Sequence, residues 1–176
     1  TEGLGMALIF TLYAIVMLSL YGGKLPTIFI KRMKTNPYEA RMRAMLIFAF
    51  IPLVVLFAQP LGTYSPWFPV ILIGIGCAAH QSWSANIYTT VSDMFPKNAI
   101  ATVTGIGGMA GGVSSMLMQA CAGNLFVYAD EVQLEFLGFV GKPAGYFIIF
   151  CICSVAYLVG WIIMKTLVPR YKIIGS

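Results

Sequence analysis

The amino-acid sequence predicts an all-α, polytopic membrane protein built as a bundle of five transmembrane helices. Of the 176 residues, 59% are hydrophobic and only 10% are charged, whereas a soluble domain of this size carries about a quarter charged residues. So few charged side chains cannot cover a globular surface, and lipid must cover it instead. Five apolar stretches also reach or approach the ~20 residues that a helix needs to cross a bilayer.

The five predicted spans are separated by short polar or charged segments. They cover residues 4–21, 44–60, 67–90, 100–128 and 144–168. Pro26 follows a Gly-Gly pair, so we expect the first span to end there and a short, basic, amphipathic helix to follow. Prolines at 60, 66 and 69 predict a tight turn before the third span. Pro96 suits the first turn of the fourth helix, with Asp93 as its candidate cap.

The charged residues predict the orientation of the chain in the membrane. If the spans alternate, ten of the eleven basic residues fall on one side, which the positive-inside rule places in the cytoplasm together with the C-terminus. These ten are Lys24, Lys31, Arg32, Lys34, Arg41, Arg43, Lys97, Lys165, Arg170 and Lys172. The N-terminal end is then outside. Because these charges flank spans, they indicate topology and contact with anionic lipid and argue against a nucleic-acid partner.

The third span carries an unusual polar cluster, "AAHQSWSANIYTTVSDMFP", over residues 78–96. At a rise of 1.5 Å per residue, the middle of this helix falls near His80. A half-polar helix is not tolerated against lipid but fits a water-filled cavity. Indole, amide and hydroxyl groups together suit a polyhydroxylated ligand. The candidate substrate-binding residues of this helix are His80, Gln81, Trp83, Ser84 and Asn86.

Each of these residue types also has a structural interpretation. Ser82, Thr89 and Thr90 are more simply explained by hydroxyls that bond back to their own helix or join packed helices. A single histidine in a helix bundle is as often a satisfied structural group as a ligand. Gln81, Trp83 and Asn86 together are harder to explain in that way.

The fourth span begins "IATVTGIGGMAGGVSSM" and contains a stripe of small residues. Gly107 and Gly111 are four residues apart, as are Gly108 and Gly112, a spacing that lets helices approach closely. We therefore predict that these four glycines pack against another helix, and that Thr104 turns toward the cavity. Gly105 and Gly107 also mimic half of a dinucleotide-binding motif, but neither a preceding strand nor a following acid supports it.

Nothing in the sequence indicates an enzyme or a cofactor. The predicted span interiors contain no Asp, Glu, Lys or Arg, and His80 has no acid or nucleophile at catalytic spacing. The cysteines lie in apolar runs and are interpreted as small hydrophobic residues rather than as disulfides or metal ligands. They are Cys77, Cys121, Cys151 and Cys153.

Three segments resemble the hexuronate transporters, which belong to the anion:cation symporter group of the major facilitator superfamily. "HQSWSANIYTTVSDMFPKNAIATVTGIGGMAGGVSSML" resembles the tenth and eleventh helices of that family, "GGKLPTIFIKRMKTNPYEARMRAML" its loop between helices eight and nine, and "AYLVGWIIMKTLVPR" its last helix. The resemblance implies that the five spans are helices eight to twelve of twelve, a partial C-terminal half of the fold. The chain begins with Thr1 and has no signal-peptide pattern, so we expect a fragment or a processed product.

The resemblance also implies a function. Transporters of this family work by alternating access in the bacterial inner membrane and couple uptake of a sugar acid, of the galacturonate or glucuronate class, to protons. Their carboxylate-binding arginine and proton-carrying acids lie in the N-terminal half, which would be absent here. By resemblance, Trp83 and its neighbours His80, Gln81, Ser84 and Asn86 contact the sugar acid. Relatives often have Asn in the eleventh helix, where this chain has Thr104 and glycines.

Two other functions stay open from the sequence. The chain could belong to a symporter for a different organic anion, such as a hexonate or a dicarboxylate. It could also be a structural or assembly subunit in which the polar cluster joins helices. A membrane-embedded hydrolase is the least supported alternative, because His80 has no catalytic partner in the sequence.

Overall fold

A computed structural model of the chain describes residues 2–171; Lys172, one of the predicted cytoplasmic cations, lies outside them. Helices occupy all five predicted spans. In chain order the elements are α1 (Glu2–Val16), the 3₁₀ helix η1 (Met17–Tyr21), α2 (Lys24–Met33), α3 (Pro37–Phe50), the 3₁₀ helix η2 (Ile51–Phe57), α4 (Ala58–Gly62), α5 (Trp67–Met94), α6 (Lys97–Glu131), β1 (Glu135–Phe136), β2 (Phe139–Val140) and α7 (Lys142–Leu167).

Four helical segments in residues 2–171 are long and apolar enough to cross a membrane. They are Gly3–Met33, Pro37–Gly62, Lys97–Glu131 and Lys142–Leu167. The third predicted span forms α5, which at 28 residues is long enough to cross but is not among the four. Its C-terminal half carries the polar cluster, which lowers its hydropathy. The chain is thus a helical membrane bundle with four apolar helices and a fifth, more polar one.

Helix α5 lies at the centre of the bundle, in contact with α1, η1, α3, η2, α4 and α6. Its buried Trp83 packs against the buried face of α3, and partly buried side chains of α7, among them Trp161, complete this cluster. The buried residues contributed by α3 are Ala44, Met45, Phe48 and Ala49. The helix that carries the polar cluster therefore lies among most of the other helices.

The N-terminal end of α3 meets the C-terminal ends of α5 and α7. Arg41 Nε donates to Asp93 Oδ2 at 2.5 Å, and the Tyr38 hydroxyl donates to the Val168 carbonyl. Trp161 Nε1 donates to the Met42 carbonyl at 2.8 Å. The predicted capping role of Asp93 is wrong: α6 begins after Pro96 without a side-chain cap, and Asp93 pairs with an arginine because that cation lies opposite it.

The first span ends in a tightened turn, and the expected short helix follows it. Residues 17–21 form η1, and α2 begins at Lys24 with Pro26 in its first turn. Gly22 sits directly against α5: a Cβ at this position would lie 2.1 Å from Ser82 Oγ. Only glycine allows the end of η1 to approach α5 this closely.

The connection between α6 and α7 is a small antiparallel hairpin, in which Glu135 pairs with Val140 and Phe136 with Phe139. Phe139 packs on Phe147 of α7, with ring centroids 5.0 Å apart. These two short strands are the only β structure in residues 2–171, so the fold is all-α apart from this turn.

Candidate functional site

The polar cluster of α5 does not face a single cavity. Because successive residues of an α-helix point about 100° apart, the candidate residues fall on different sides of α5. Trp83 and Asn86 are buried, Ser84 is half-buried, and His80 and Gln81 are exposed. Each side has a different environment and supports a different role.

Trp83 and Asn86 are enclosed by protein. Trp83 belongs to the α3–α5–α7 core, and its ring meets that of Tyr157 edge-on with centroids 5.5 Å apart. Asn86 is 1% exposed; its amide nitrogen donates to the Ser82 carbonyl at 2.8 Å. Its Oδ1 has no hydrogen-bond partner among the described residues. In this structure both side chains serve packing between helices.

His80 points toward η2 and α7. Its Nδ1 shares a hydrogen bond of 2.6 Å with the Tyr157 hydroxyl, and the tautomer decides which group donates. The pair lies in a cavity of about 290 Å³ whose other walls are mostly apolar. The remaining lining residues are Pro52, Val55, Ile73, Gly76, Cys77, Ile149, Phe150, Cys153 and Ser154.

Ser84 and Thr104 line the same cavity, between α5 and α6. This space of about 180 Å³ is also bordered by Tyr88, Val91 and Gly107. Here the hydroxyls of two predicted site residues and a tyrosine converge from two helices. Gln81 lies one turn before Ser84 and two turns before Tyr88 on the same side of α5. These polar groups lie on the side of α5 that faces α6.

The remaining hydroxyls of α5 bond to their own helix. Ser82, Thr89 and Thr90 donate to the carbonyls of Ala78, Ala85 and Asn86 at 2.9, 2.7 and 2.7 Å. The structural interpretation of these three residues is thereby confirmed. Such bonds satisfy a hydroxyl inside a membrane helix without any ligand.

The four predicted packing glycines of α6 meet no neighbour in this chain. A Cβ built on Gly107, Gly108, Gly111 or Gly112 has no described atom within 4 Å beyond its own helix. Helix α6 as a whole is mostly exposed, and bulky side chains on it, such as Met109 at 75%, stand free. The stripe is therefore present and continuous but unpartnered within residues 2–171, and its packing role stays a prediction.

Metal binding has no support in the described part of the chain. No group of three or more His, Cys, Asp or Glu side chains lies close enough together to hold an ion in residues 2–171. The site chemistry consists of hydroxyl, amide, imidazole and indole groups. Hydroxyl and amide groups both donate and accept hydrogen bonds, as a hydroxylated molecule requires.

Comparison with known proteins finds two similar transporters. The chain is 32% identical over 107 residues to the "Hexuronate transporter" of Escherichia coli strain K12 and equally to that of strain O157:H7. The match covers 59% of this chain but only 24% of each relative, so the chain matches about a quarter of the length of these relatives. No family model and no solved structure matches it. The chain is thus similar to part of two membrane transporters.

Sequence reasoning missed two tyrosines. Tyr157 of α7 shares a hydrogen bond with His80 and meets the Trp83 ring edge-on. Tyr88 borders the α5–α6 cavity. Tyr88 shares the helix face of Gln81 and Ser84, so its spacing could have revealed it. Tyr157 lies 77 residues from His80 in an apolar span, and no local pattern links the two.

Proposed function

We propose that this chain is the C-terminal part, helices eight to twelve, of a major facilitator transporter that takes up sugar acids together with protons by alternating access. The observation that carries the proposal is the 32% identity to two hexuronate transporters. The structure adds support in physical terms. Polar side chains of α5 and a hydroxyl of α6 converge on the open side of an otherwise apolar bundle, where a hydroxylated substrate finds partners.

Within the polar cluster, the substrate contacts are assigned to the side of α5 that faces α6. Ser84, Tyr88 and Thr104 border one cavity, and Gln81 extends this surface by one turn. Their hydroxyl and amide groups donate and accept, as sugar hydroxyls require. Trp83 supports the site indirectly, because it fixes α5 against α3 and α7, and Asn86 is buried and bonded within α5. His80 belongs to the separate cavity that it shares with Tyr157.

The proposed topology places the basic end of the bundle in the cytoplasm of a bacterial inner membrane. The structure brings the N-terminal end of α3 to the C-terminal ends of α5 and α7, through Arg41–Asp93 and Tyr38–Val168. Three basic regions that are distant in sequence thus lie at the same end of the molecule. Such clustering at one membrane side is what the positive-inside rule describes.

The test measures uptake of labelled galacturonate and glucuronate into cells that express the full-length protein containing this chain. Ser84→Ala/Thr104→Val removes both hydroxyls from the α5–α6 cavity with little change in volume, and we expect uptake to fall at least ~10-fold, with each lost hydrogen bond costing about 1 kcal/mol. Thr89→Val is the matched control, because its hydroxyl bonds only within α5. A protonophore should abolish uptake by the parent protein. Uptake of neither acid, with normal membrane abundance, would refute this substrate.

A symporter for another organic anion differs from the proposal only in its substrate. In that case the cells would take up a hexonate or a dicarboxylate and neither hexuronate. The double variant at Ser84 and Thr104 would then reduce uptake of that anion, because the same cavity binds it.

A structural or assembly subunit is favoured by one observation, the burial of Trp83 and Asn86. Trp83→Ala and Asn86→Ala discriminate between these functions when uptake is expressed per molecule in the membrane. In a transporter, misplacing α5 lowers uptake per molecule. If abundance falls and uptake per molecule stays normal, the polar cluster serves assembly alone.

A further inference from the structure

We propose that residues 24–43, α2 and the beginning of α3, form a binding surface for the headgroups of anionic phospholipids. We call this segment the basic elbow. The inference goes beyond transport and does not depend on which substrate is carried. It rests on the charge, the rigid placement and the position of α2 along the first membrane helix.

The basic elbow carries cations that the protein itself does not neutralise. It contains six basic residues and one acid, Glu39. Among residues 2–171 the only salt bridges are Arg41–Asp93 and Lys142–Asp130, so Arg41 alone is paired. The other five are exposed and without a salt bridge in the described chain: Lys24, Lys31, Arg32, Lys34 and Arg43.

Helix α2 is held in a fixed orientation. Leu25 and Phe29, one turn apart, pack against the core formed by α3, α5 and α7, and Pro26 is buried. Lys24, Ile28 and Lys31 lie on another side of the same helix and are exposed. Packing of the apolar side therefore presents the cations outward before any ligand binds, which lowers the entropic cost of binding.

The length of the first membrane helix places α2 at the bilayer surface. The helical segment Gly3–Met33 has 31 residues, about 46 Å at 1.5 Å per residue, whereas the hydrocarbon core is only ~30 Å thick. The uncharged apolar run ends at Tyr21, and the cations begin with Lys24, directly after the Gly22–Gly23 pair, so the part of this segment that extends beyond the core is its basic end. The helix that follows must lie at headgroup depth, where the phosphates of lipids are.

The exposed side of the basic elbow is also amphipathic. Ile28 and Met33 are 45% and 53% exposed next to the cations, and Tyr21, 66% exposed, has the Lys24 ammonium 5.0 Å from its ring centroid. Tyrosine is enriched at membrane interfaces, and apolar side chains beside lysines insert at the headgroup boundary. These apolar groups favour a lipid surface over a nucleic acid, which offers them no apolar partner.

A purely structural explanation for some of these charges is the helix dipole. Lys31 and Arg32 occupy the last turn of α2, where cations stabilise a helix. Lys34 is the C-cap residue of α2 and belongs to the same helix end, whereas Arg43 lies in α3 and is not explained by the dipole of α2. A dipole role changes stability without changing lipid preference, and the experiment separates the two.

The experiment measures which lipids surround the protein. The full-length protein that contains this chain is reconstituted in mixed phosphatidylcholine and phosphatidylglycerol, and its association with spin-labelled forms of each lipid is compared. Both lipids carry a phosphate, but only phosphatidylglycerol is anionic, so charge is isolated. We expect a preference for phosphatidylglycerol that falls at least ~5-fold in Lys31→Gln/Arg32→Gln/Lys34→Gln, since each cation near an anionic surface contributes about 1 kcal/mol.

Two control variants make the result decisive. Lys97→Gln/Lys142→Gln/Arg170→Gln removes the same charge outside the basic elbow and should retain most of the preference. Lys31→Arg/Lys34→Arg keeps the charge and should retain the whole preference for phosphatidylglycerol. This variant checks that substitutions at these positions do not by themselves disturb α2. Equal losses in both triple variants, or no preference for phosphatidylglycerol in the parent protein, would overturn the proposal.

Discussion

At the scale of single residues, the structure separates polar groups by what lies next to them rather than by their type. Trp83 and Ser84 are adjacent in sequence, yet the indole fills the α3–α5–α7 core and the hydroxyl borders the α5–α6 cavity. Asn86 is buried with its Oδ1 unpaired among the described residues, a state that costs about 1–3 kcal/mol. A polar residue in this bundle is therefore a site residue only where its helix face meets open space.

Gly22 gives the sharpest test at this scale. A Cβ there would lie 2.4 Å from Ser82 Cβ and 2.1 Å from Ser82 Oγ, and both helix backbones would have to move apart. We expect Gly22→Ala to lower the free energy of unfolding by about 1–3 kcal/mol, as overpacking does. The measurement is the thermal unfolding midpoint of the purified protein in detergent.

Gly23→Ala is the matched control for that variant. The next glycine in sequence has no atom within 4 Å of its would-be Cβ and an ordinary helical backbone, φ −69°. Alanine there should be neutral or stabilise by up to about 1 kcal/mol. Equal unfolding midpoints for the two variants would contradict the close contact between Gly22 and Ser82 of α5.

At the scale of helices and strands, the length of an apolar stretch predicts where a helix forms. Each predicted span contains a helix because ~20 apolar residues with few charges can satisfy their backbone in lipid in no other simple way. Gly22, Gly23 and Pro26 likewise mark the beginning of α2. The 3₁₀ helices Met17–Tyr21 and Ile51–Phe57 were not predicted. Pro52 at the beginning of the second one is a local signal, because proline lacks the backbone N–H that a regular α-helix needs, whereas Met17–Tyr21 contains neither proline nor glycine.

The candidate site was less predictable for the same reason. The sequence placed the polar cluster on one helix but could not show which faces of α5 its neighbours cover. Spacing along the helix places Ser84 on the face of His80 as readily as on that of Tyr88, and only the packed structure shows that Trp83 is enclosed while Ser84 borders the α5–α6 cavity. The partner of His80 comes from α7, far along the chain, and depends on the fold as a whole.

The glycine stripe of α6 yields the prediction at this scale. In the isolated chain, Gly108→Ala/Gly112→Ala should raise helix stability, by up to about 1 kcal/mol per residue, because nothing within 4 Å opposes the added methyls. In the full-length protein, where we propose that another helix covers the stripe, uptake of the sugar acid should fall at least ~10-fold, since the added methyls keep the two helices apart.

Gly123→Ala provides the control for the stripe. It lies on the same face of α6 three turns beyond Gly112, away from the four glycines along the helix axis, and also has open space at its Cβ position. It should leave both stability and uptake unchanged or slightly improved. If the double variant transports as well as this control, no helix packs closely on Gly108 and Gly112.

At the scale of the whole molecule, one end of the bundle is joined by contacts between elements distant in sequence. Arg41 and Asp93 are 18% and 24% exposed, with their charged atoms 2.5 Å apart, and the Tyr171 hydroxyl donates to the Asp93 carbonyl at 3.2 Å. A partly enclosed, charge-assisted bond is worth more than a surface ion pair. This contact fixes α3 against α5 where the cytoplasmic ends of both are proposed to lie.

A double-mutant cycle tests that contact. Arg41→Gln and Asp93→Asn should each lower the free energy of unfolding by about 1–3 kcal/mol, because each leaves the other charge unpaired. The double variant should lose less than the sum of the two, with a coupling of about 1 kcal/mol. Lys142 and Asp130 form a comparison pair: both are about half exposed, and their coupling should be near zero. Equal coupling in the two pairs would mean that enclosure does not strengthen the first.

The last prediction concerns the chain as a unit. If the substrate path lies between α5, α6 and a part of the protein beyond these 176 residues, this chain alone cannot enclose a substrate or alternate its access. We expect it to insert into membranes and to be helical by circular dichroism, yet to give no uptake of galacturonate or glucuronate into liposomes. Full-length protein in the same liposomes is the positive control. Robust uptake by the isolated chain would show that its own helices form a complete path and would refute the proposal that it is part of a larger transporter.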